Sequence, residues 1–378
     1  MKIVHIADLH LGKSINELSM EEDQEYILKQ ILDIIKKESA DTVVIAGDIY
    51  DRSIPPVSAI SLFDWFLTEV KKEKCSIFCV GGNHDSGQRL DFGKTIFDKQ
   101  NIFIEGKFSG NIRVIEMEDA YGKICFHMLP FFKPLQVRAY NPKLKIGDAS
   151  DAMKEVLRQH EVNQNVRNIL ITHQFVTGTD SMECSDSEME ICVGGADQIS
   201  YRLFDAFDYV ALGHLHGPQK AGRESIRYSG SPLKYSFSEE YHKKSVTVIE
   251  FFQKGKMEIH TVLLKPLHEM RTIRGEMKEL LKPEVVALAD PKDYIRAKLT
   301  DQEELLDPAA KLRDVYPNLM ELMIEKNEKI LKEDKMLSFK QKSPEDLMKS
   351  FLELLTGEKE EKRINYLKEL FLEGRKNL

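Results

Sequence analysis

The stretch CSIFCVGGNHDSGQRL, residues 75–90, places a buried-looking strand directly before a glycine turn that carries three adjacent polar side chains. The run SIFCVG (76–81) is nearly continuous in apolar residues, which is typical of a strand covered on both faces. Asn83, His84 and Asp85 follow it, and an amide, an imidazole and a carboxylate in a row are poorly suited to a core. They suit a site in which several polar groups point at one place.

The rest of the first hundred residues repeats this strand with helices in between. KIVHIA (2–7) and TVVIAG (42–47) are similar apolar runs. Residues 20–37 and 56–72 instead carry apolar side chains at steps of three and four, the spacing of an amphipathic helix. Strand, helix, strand, helix, strand predicts parallel βαβ units.

After about residue 100 strand patterns dominate, and a second sheet packed on the first is the expected solution. The composition changes near residue 265 and again near 336. We therefore predict an α/β (α+β) fold: a two-sheet sandwich flanked by helices in 1–265, a small α+β domain in 266–335, and a helical tail in 336–378. Two apolar stripes mark the tail, one with Leu347 and Phe351 and one with Leu367 and Phe371.

The bulk composition restricts the class of protein. The chain of 378 residues carries a net charge of −8, which by itself counts against nucleic acid as a partner but leaves room for a local basic surface. It has no apolar run of membrane-spanning length, and its start lacks the layout of a signal peptide, so we expect no membrane association. The 5 cysteines form no CxxC pair, and an odd count argues against a disulfide framework. A cytoplasmic location is the expectation.

Polar side chains recur where the predicted strands end. The motifs are ADLH with Asp8 and His10, GDIYD with Asp48 and Asp51, GNHD with Asn83 and His84, THQF with His173, and GHLH with His214 and His216. Taken singly, a Gly-Asp pair is usually a turn and a histidine after ILIT is usually a core residue. The carboxyl ends of neighbouring parallel strands share one rim, however, so five such motifs together predict one metal site. We assign the other histidines, His5, His127, His160, His242, His260 and His268, to structure.

The ligand types indicate the metal and the chemistry. Imidazole, carboxylate and amide groups without thiolate favour manganese, iron or zinc over a structural cysteine-zinc site. The candidate ligands are more than one ion takes from a protein: Asp8, His10, Asp48, Asn83, His173, His214 and His216. Two divalent ions about 3.5–4 Å apart, bridged by one carboxylate, would use all of them, and such sites hydrolyse phosphate esters. Asp48, in the middle of the set, is the expected bridge.

The ordered series D-x-H, G-D-x-x-D, G-N-H-D, H and G-H-x-H resembles the calcineurin-like metallophosphoesterase superfamily. More narrowly, HIADLHLGK, GDIYDRSIPP, GNHDSGQRL and RYSGSPLKYSFSE resemble the bacterial SbcD family of nuclease subunits, strongly over about 1–260 and more weakly beyond. The resemblance implies one ion held by Asp8, His10, Asp48 and His216. It implies a second held by Asp48, Asn83, His173 and His214, with Mn²⁺ the expected metal in both places.

The resemblance also implies catalytic roles. His84 would face the scissile phosphate and protonate the leaving oxygen, and Asp51 would stand behind it. Relatives often carry a histidine where Asp51 stands, so the carboxylate here resembles the phosphatase-type pairing and predicts an Asp51–His84 dyad. Asp85 is expected to orient other groups rather than to bind metal. Residues 228–239, YSGSPLKYSFSE, are expected to form a rim loop without an acid–base pair of its own.

The implied function is a two-metal DNA nuclease in repair and recombination, acting as a double-strand 3′–5′ exonuclease and as a single-strand and hairpin endonuclease. Its implied partners are DNA, an SbcC-type ABC ATPase whose coiled-coil base receives the helical tail, and a second copy of the chain within a heterotetramer. Arg52, Arg89, Lys133 and Arg138 are candidate contacts to DNA phosphates, although solvated surface explains them equally well. The alternatives are a phosphatase or cyclic-nucleotide phosphodiesterase, a DNA-end-binding scaffold without activity, and a tail that simply folds back on the body.

Overall fold

The computed structural model describes residues 1–140, 142, 144–178, 182–185, 188, 197–303 and 305–325. Its elements up to residue 105 are β1 Lys2–Ile6, β2 Ser14–Ile15, β3 Leu18–Ser19, α1 Glu21–Glu38, β4 Thr42–Ala46, α2 Val57–Lys72, β5 Ser76–Val80, α3 Gly87–Leu90, α4 Lys94–Asp98 and β6 Ile102–Glu105. From there to residue 228 they are β7 Arg113–Asp119, β8 Gly122–Leu129, α5 Pro134–Tyr140, α6 Ala149–Arg158, β9 Arg167–His173, β10 Val176–Thr177, β11 Ile199–Ser200, β12 Tyr209–Gly213, β13 Gln219–Ala221 and β14 Arg223–Tyr228. The remaining elements are β15 Ser245–Phe251, β16 Met257–Leu263, β17 Met270–Gly275, α7 Met277–Leu280, α8 Pro283–Val286, β18 Tyr294–Leu299, α9 Pro308–Arg313 and β19 Leu319–Ile324.

The first large sheet has the strand order β16-β15-β1-β4-β5-β6. Strands β1, β4, β5 and β6 run parallel, as the alternating helices α1 and α2 require, while β15 joins β1 antiparallel. Helix α1 buries one apolar face that includes Ile27, Ile31 and Ile35. Acidic residues in its first turn and lysines in its last complement the helix dipole.

The second large sheet has the order β13-β14-β12-β9-β8-β7, with β8, β9, β12 and β14 parallel. The two sheets pack face to face over an apolar layer contributed by both, in which the Phe78 and Phe126 rings stack with centroids 4.1 Å apart. Helices α5 and α6 cover the outer face of this second sheet through a separate apolar cluster. Helix-flanked sheets in two layers place the carboxyl ends of strands from both sheets along one edge.

A third, smaller sheet follows residue 265. Its strands β17, β18 and β19 are parallel and surround their own core, with Ile295, Leu312 and Tyr316 fully buried. This unit contacts the body through the first turn of α1, where the buried carboxylate of Asp23 accepts hydrogen bonds from His268 and Tyr294.

The predicted fold class, a two-sheet sandwich flanked by helices, is confirmed. Four further elements were not predicted: α5 and β19 are short, and β16 is only half-buried. Helix α6 was missed although its buried residues recur at helical spacing and Asp148 caps its start. The domain limits at 265 and 335 stay predictions, and the helical tail 336–378 lies outside the described residues.

Two further observations concern the expected location. Within the part of the chain that the structure describes, no helix combines the length and the apolar character that crossing a membrane needs. Cys75, Cys79 and Cys125 are free and buried, whereas Cys184 is disulfide-bonded. The cysteine count argued against a disulfide framework, so this single bond is a difference from the sequence prediction.

Candidate metal centre

The candidate ligands meet at the edge where both large sheets end. Asp8 and Asp48 lie two residues beyond β1 and β4, and Asn83 lies three beyond β5, so the first sheet contributes the oxygen donors. His173 is the last residue of β9, and β12 is followed by His214 and His216. The register pairs His173 with Gly213, which brings the two histidine segments side by side. Each sheet therefore supplies one half of the cluster.

The backbone turns sharply at these positions. Asp8, His10, Asp48 and His214 have positive φ angles of 54°, 45°, 48° and 110°. A residue with a side chain pays about 1–3 kcal/mol for such a conformation, which persists only where the surroundings enforce it. Here the left-handed turn redirects the chain at the strand end so that the side chain points along the rim. Strain at ligand positions is typical of a functional site.

Glycine is required where the turns approach one another. A Cβ atom on Gly82 would collide with the Oδ1 and backbone nitrogen of Asp48. The glycine therefore lets the turn after β5 lie against the turn after β4. This close approach allows the backbone N–H of His84 to donate to Asp48 Oδ1 at 2.9 Å.

The first group of ligand atoms contains Asp8, His10 and His216, which lie within 4.8 Å of one another. The Nε2 atoms of His10 and His216 are 3.1 Å apart, and His10 Nε2 lies 3.7 Å from Asp48 Oδ2. All four side chains are buried.

The second group contains Asp48, Asn83, His173 and His214. His173 Nε2 and His214 Nδ1 each lie 3.0 Å from Asn83 Oδ1. His173 Nε2 is also 3.3 Å from Asp48 Oδ2. The Oδ2 atom of Asp48 thus faces both His10 of the first group and His173 of the second.

The chemistry of this donor set fits divalent cations. The two facing Nε2 atoms of His10 and His216 are both potential acceptors, and His10 Nδ1 is a buried atom with no hydrogen-bond partner among the described residues. Several carboxylate oxygens and an amide oxygen converge on the same space. Nitrogen and oxygen donors without thiolate are the set that manganese, iron and zinc accept.

The charges around the cluster are held by burial and by proximity. Burial raises the pKa of Asp8 to about 7 and lowers the pKa of His214 to about 3. Burial also opposes ionisation of Asp48 and His173, but their mutual attraction outweighs it: the pKa of Asp48 falls well below its usual range and that of His173 rises to about 9. The buried Asp48 carboxylate thus needs positive charge beside it, which a cation would also supply.

His84 and Asp51 interact differently from the predicted dyad. The exposed His84 ring places Nδ1 2.8 Å from the backbone carbonyl oxygen of Asp51, not from its carboxylate. The carboxylate instead pairs with Lys13 Nζ at 2.7 Å and lies 3.7 Å from His10 Nδ1. The predicted carboxylate–imidazole dyad is therefore wrong. The carbonyl accepts the Nδ1 proton, which leaves Nε2 of His84 available for another partner, and a nitrogen of this ring lies within 4.8 Å of ligand atoms of His10 and Asp48.

Two side chains hold the ligand turns from behind. The carboxylate of Asp85 accepts from the backbone N–H groups of Ile49, Tyr50 and Gly82 at 3.1, 2.9 and 2.9 Å, so it ties the turn after β5 to the turn after β4. This agrees with the orienting role expected for Asp85. Gln24 on α1 does the same for the first turn: its Nε2 donates to His10 O at 2.7 Å. Nothing in the sequence marked Gln24.

Residues 228–239 contribute more than a rim loop. The carboxylate of Glu239, in the second half of this segment, lies 2.9 Å from His216 Nδ1 and 2.6 Å from Lys244 Nζ. Burial would raise the pKa of Glu239, but Lys244 and His216 outweigh it and hold that pKa well below its usual range. The segment still has no acid–base pair of its own, since Glu239 pairs with Lys244 and His216 from other parts of the chain. The partner of Glu239 lies outside the segment, so no local pattern could reveal it.

The four basic residues proposed for DNA are all exposed, but they are not equivalent. Lys133 lines a cavity beside Asn83 and His214, with Phe131 and Phe175 in its wall. Arg89 lines a different, apolar cavity against α2. Arg52 lies 3.9 Å from Asp51, and Arg138 is exposed near the end of α5. Of the four, Lys133 is the one that shares this cavity with two predicted ligands.

Comparison with known proteins finds a family match for the first 218 residues and another for the region after residue 265. Residues 1–218 match the calcineurin-like phosphoesterase family, and residues 266–356 match the family described as the type 5 capsule protein repressor C-terminal domain. The D subunit of the nuclease SbcCD from Staphylococcus epidermidis is 36% identical over 325 residues, which cover 85% of each chain. A solved structure of a dimetal phosphatase from Danio rerio shares 13% identity, covers 69% of this chain and 95% of its own, and has a TM-score of 0.39.

Proposed function

Because this chain belongs to the calcineurin-like phosphoesterases and, among them, to the SbcD nuclease family, we propose that it is a metal-dependent DNA nuclease that works with an SbcC-type ATPase. The observation that carries the proposal is the position of Asp48 among the ligands at the common edge of the two sheets: its Oδ2 lies 3.7 Å from His10 Nε2 and 3.3 Å from His173 Nε2. Hydrolysis of DNA phosphodiesters is the activity that this pair of groups supports best.

Two divalent ions fit the two groups, and Mn²⁺ is the metal we propose. Asp8, His10, Asp48 and His216 would hold one ion, and Asp48, Asn83, His173 and His214 would hold the other. Asp48 would bridge them, because its Oδ2 faces His10 on one side and His173 on the other. The ions would supply an ionised water as nucleophile and neutralise charge on the phosphate.

The protein's own part in the reaction is to orient and to move a proton. The carbonyl of Asp51 holds the ring of His84 through Nδ1, so that Nε2 is left available for a phosphate bound at the rim. A protonated Nε2 can then donate to the leaving oxygen. The turns held by Asp85 and Gln24 fix the ligands before substrate arrives.

The proposed substrate is DNA, cleaved as double strands from 3′ ends and as single strands or hairpins internally. Lys133 supports this because an exposed cation lies beside the aromatic wall of Phe131 and Phe175, next to Asn83. The net charge of −8 then reflects the rest of the surface rather than this edge. We further propose a cytoplasmic location, because DNA is present there and thiols such as those of Cys75 and Cys79 stay reduced.

A second copy of the chain is the proposed neighbour within a heterotetramer. An exposed apolar area extends over α2 and α3–α4, where Val57 is 79%, Phe92 83% and Ile96 71% exposed. Ile60 and Phe92 also line a cavity of about 480 Å³ in this region. Monomers rarely expose so much apolar surface in one place, so a like surface on a second copy is a fitting cover.

The test compares the wild-type chain with His84→Ala. With Mn²⁺ the wild type should degrade single-stranded and linear duplex DNA and leave p-nitrophenyl phosphate nearly untouched. His84→Ala should bind both ions and lose about 10²–10⁴-fold in cleavage rate, the usual contribution of a general acid. His260→Ala, which removes a half-exposed histidine on β16, is the matched control and should keep full activity.

Two results would contradict this assignment. Faster hydrolysis of the monoester than of DNA would favour a phosphatase instead. Loss of bound metal in His84→Ala would mean that His84 is a ligand and that the division of roles between Asn83 and His84 is wrong.

A further inference from the structure

A buried charged pair lies directly behind His216. Glu239 is completely buried, and Lys244, at the start of the segment that leads into β15, is 5% exposed. Neither side chain touches the space between the ligand atoms. Burial of two charged groups is costly unless each is fully paired, so their contacts indicate what they are for.

Lys244 uses all of its donors inside the protein. Its Nζ lies 2.6 Å from Glu239 Oε2, 2.8 Å from Ser231 Oγ and 2.9 Å from the backbone carbonyl of His216. An ammonium group has three protons, and each of them has an acceptor here. Lys244 therefore serves as a fixed internal cation that joins Glu239 to the backbone of His216.

Glu239 uses both carboxylate oxygens, one on each neighbour. Oε2 accepts from Lys244, and Oε1 accepts from Nδ1 of His216 at 2.9 Å. An ionised carboxylate can only accept, so the His216 proton must be on Nδ1. In the neutral imidazole, which is the form that binds a metal, the lone pair is then on Nε2, the atom that lies 3.1 Å from His10 Nε2 at the rim.

A second carboxylate near His216 has a different contact. Glu188 accepts a hydrogen bond from the backbone N–H of His216, and its Oε1 is 3.8 Å from the ring Nδ1. That distance is too long for a hydrogen bond to the ring. Among the described residues, Glu239 is therefore the carboxylate that controls the imidazole itself.

We propose that Glu239 and Lys244 are positioning residues of the metal centre: Glu239 holds His216 through Nδ1 so that Nε2 faces an ion, and Lys244 holds the Glu239 carboxylate in place. The inference rests on the proposed two-ion function and deepens it, because it assigns to one ion a histidine ligand held by a buried charged pair. Hydrogen-bonded carboxylates behind ligating histidines change metal affinity by about 10- to 100-fold when they are removed.

The experiment measures Mn²⁺ binding by isothermal titration on the metal-stripped full chain, together with thermal unfolding of the metal-free form. Glu239→Gln keeps the size of the side chain and removes its charge. Its matched control is Glu240→Gln, the next residue, whose carboxylate accepts from the backbone and side chain of Thr272 at 2.7 Å and faces the small domain. A third variant, Glu239→Gln with Lys244→Met, removes the charge that Glu239→Gln leaves unpaired, and serves if the single change fails to fold.

The expected result is that Glu239→Gln weakens one of two bound ions by about 10- to 100-fold and leaves the other unchanged. The double variant should recover thermal stability but not the affinity for that ion, whereas Glu240→Gln should bind both ions like the wild type. Unchanged affinities in Glu239→Gln, or a double variant that recovers stability and affinity together, would overturn the inference. A wild type that binds fewer than two ions would instead contradict the proposed function, and the role of Glu239 would still be decided by whether Glu239→Gln weakens the ion that remains.

Discussion

At the scale of single residues, His127 links stability to pH far from the metal centre. It lies on β8 in the second sheet and is 2% exposed. Its Nδ1 lies 2.7 Å from His160 Nε2, and its Nε2 lies 3.0 Å from Asn168 Oδ1. Burial lowers its pKa from 6.5 to about 4. The folded state therefore resists a proton that the unfolded chain accepts below pH 6.5.

The sign of the effect follows from this difference. The contribution of neutral His127 to the free energy of unfolding is fully present above pH 6.5. It decreases as the pH falls from 6.5 to about 4 and does not change further below that pH. The slope can reach about 1.4 kcal/mol per pH unit. His127→Gln should therefore reduce the fall in unfolding free energy between pH 6.5 and 4, measured by urea titration of the metal-free protein.

The control is His260→Gln, on the half-exposed histidine of β16. It should leave the pH dependence of the wild type unchanged. Equal slopes in all three proteins would show that His127 carries no such linkage.

At the same scale, sequence reasoning identifies residues better than it identifies atoms. Asp51 and His84 are neighbours as predicted, but the backbone carbonyl of Asp51 makes the contact and Lys13 takes the carboxylate. A motif states which side chains are available. Which atom of a residue contacts which partner depends on the backbone geometry of the turn between them. Residue types alone do not predict that geometry.

At the scale of elements, the first turn of α1 contacts both the metal centre and the small domain. Gln24 holds the turn that carries His10, while the adjacent Asp23 accepts from the backbone N–H of His268, from its Nδ1 and from the Tyr294 hydroxyl at 3.1, 3.0 and 2.6 Å. The two side chains are each 1% exposed. The small domain and the metal centre are therefore anchored to the same turn of the same helix.

Asp23→Ala should loosen the small domain. It leaves buried donors of His268 and Tyr294 without an acceptor, at a cost of about 1–3 kcal/mol for each buried group left unpaired. We expect lower stability in urea and faster proteolysis between residues 264 and 269. Because Gln24 shares the turn, Mn²⁺ affinity should fall slightly as well.

Glu25→Ala is the comparison on the same helix, since Glu25 forms an exposed pair with Lys29. Exposed pairs of this kind contribute about 0.3–0.5 kcal/mol, so its stability should stay close to that of the wild type. A cost in Glu25→Ala as large as that in Asp23→Ala would mean that helix disruption, not the lost anchor, explains the result.

Element by element, the sequence predicted what is local. The runs 2–7, 42–47 and 76–81 and the helices between them follow from periodicity, and the structure has them as β1, β4, β5, α1 and α2. The pairing of β15 with β1 joins Lys2 to Glu250, and periodicity contains no information about partners so far apart. Glu239 was missed for the same reason, since its meaning depends on Lys244 and His216 rather than on its own neighbours.

At the scale of the whole molecule, the body and the tail should separate in function. The predicted ligands all precede residue 217, and the apolar stripes that predict docking on the ATPase follow residue 336. A chain ending at residue 335 should therefore keep Mn²⁺-dependent cleavage of single-stranded DNA near the wild-type rate. It should lose binding to the SbcC-type partner, because a helix in a groove depends on a few apolar anchors.

A milder variant changes Leu347, Phe351, Leu367 and Phe371 to Ser and keeps the chain length. If the tail docks on the partner, co-elution is lost while the melting temperature and basal cleavage stay the same. If the tail folds back on the body, both of the latter fall. Co-elution that survives the four changes would rule out docking through these stripes.

The left-handed backbone at Asp8, His10, Asp48 and His214 has a consequence for how these positions evolve. Glycine or asparagine would adopt those turns with less strain than aspartate or histidine does. Such a replacement is opposed by the need to bind a cation and by the hydrogen bonds that the Asp8 and Asp48 carboxylates accept from the backbone. In a lineage that no longer cleaved DNA, we expect these four residues to be replaced by glycine while the two-sheet sandwich around them is retained. In such a lineage, substitutions at these four turn positions would therefore come before changes in the apolar core, and they would mark the loss of nuclease activity.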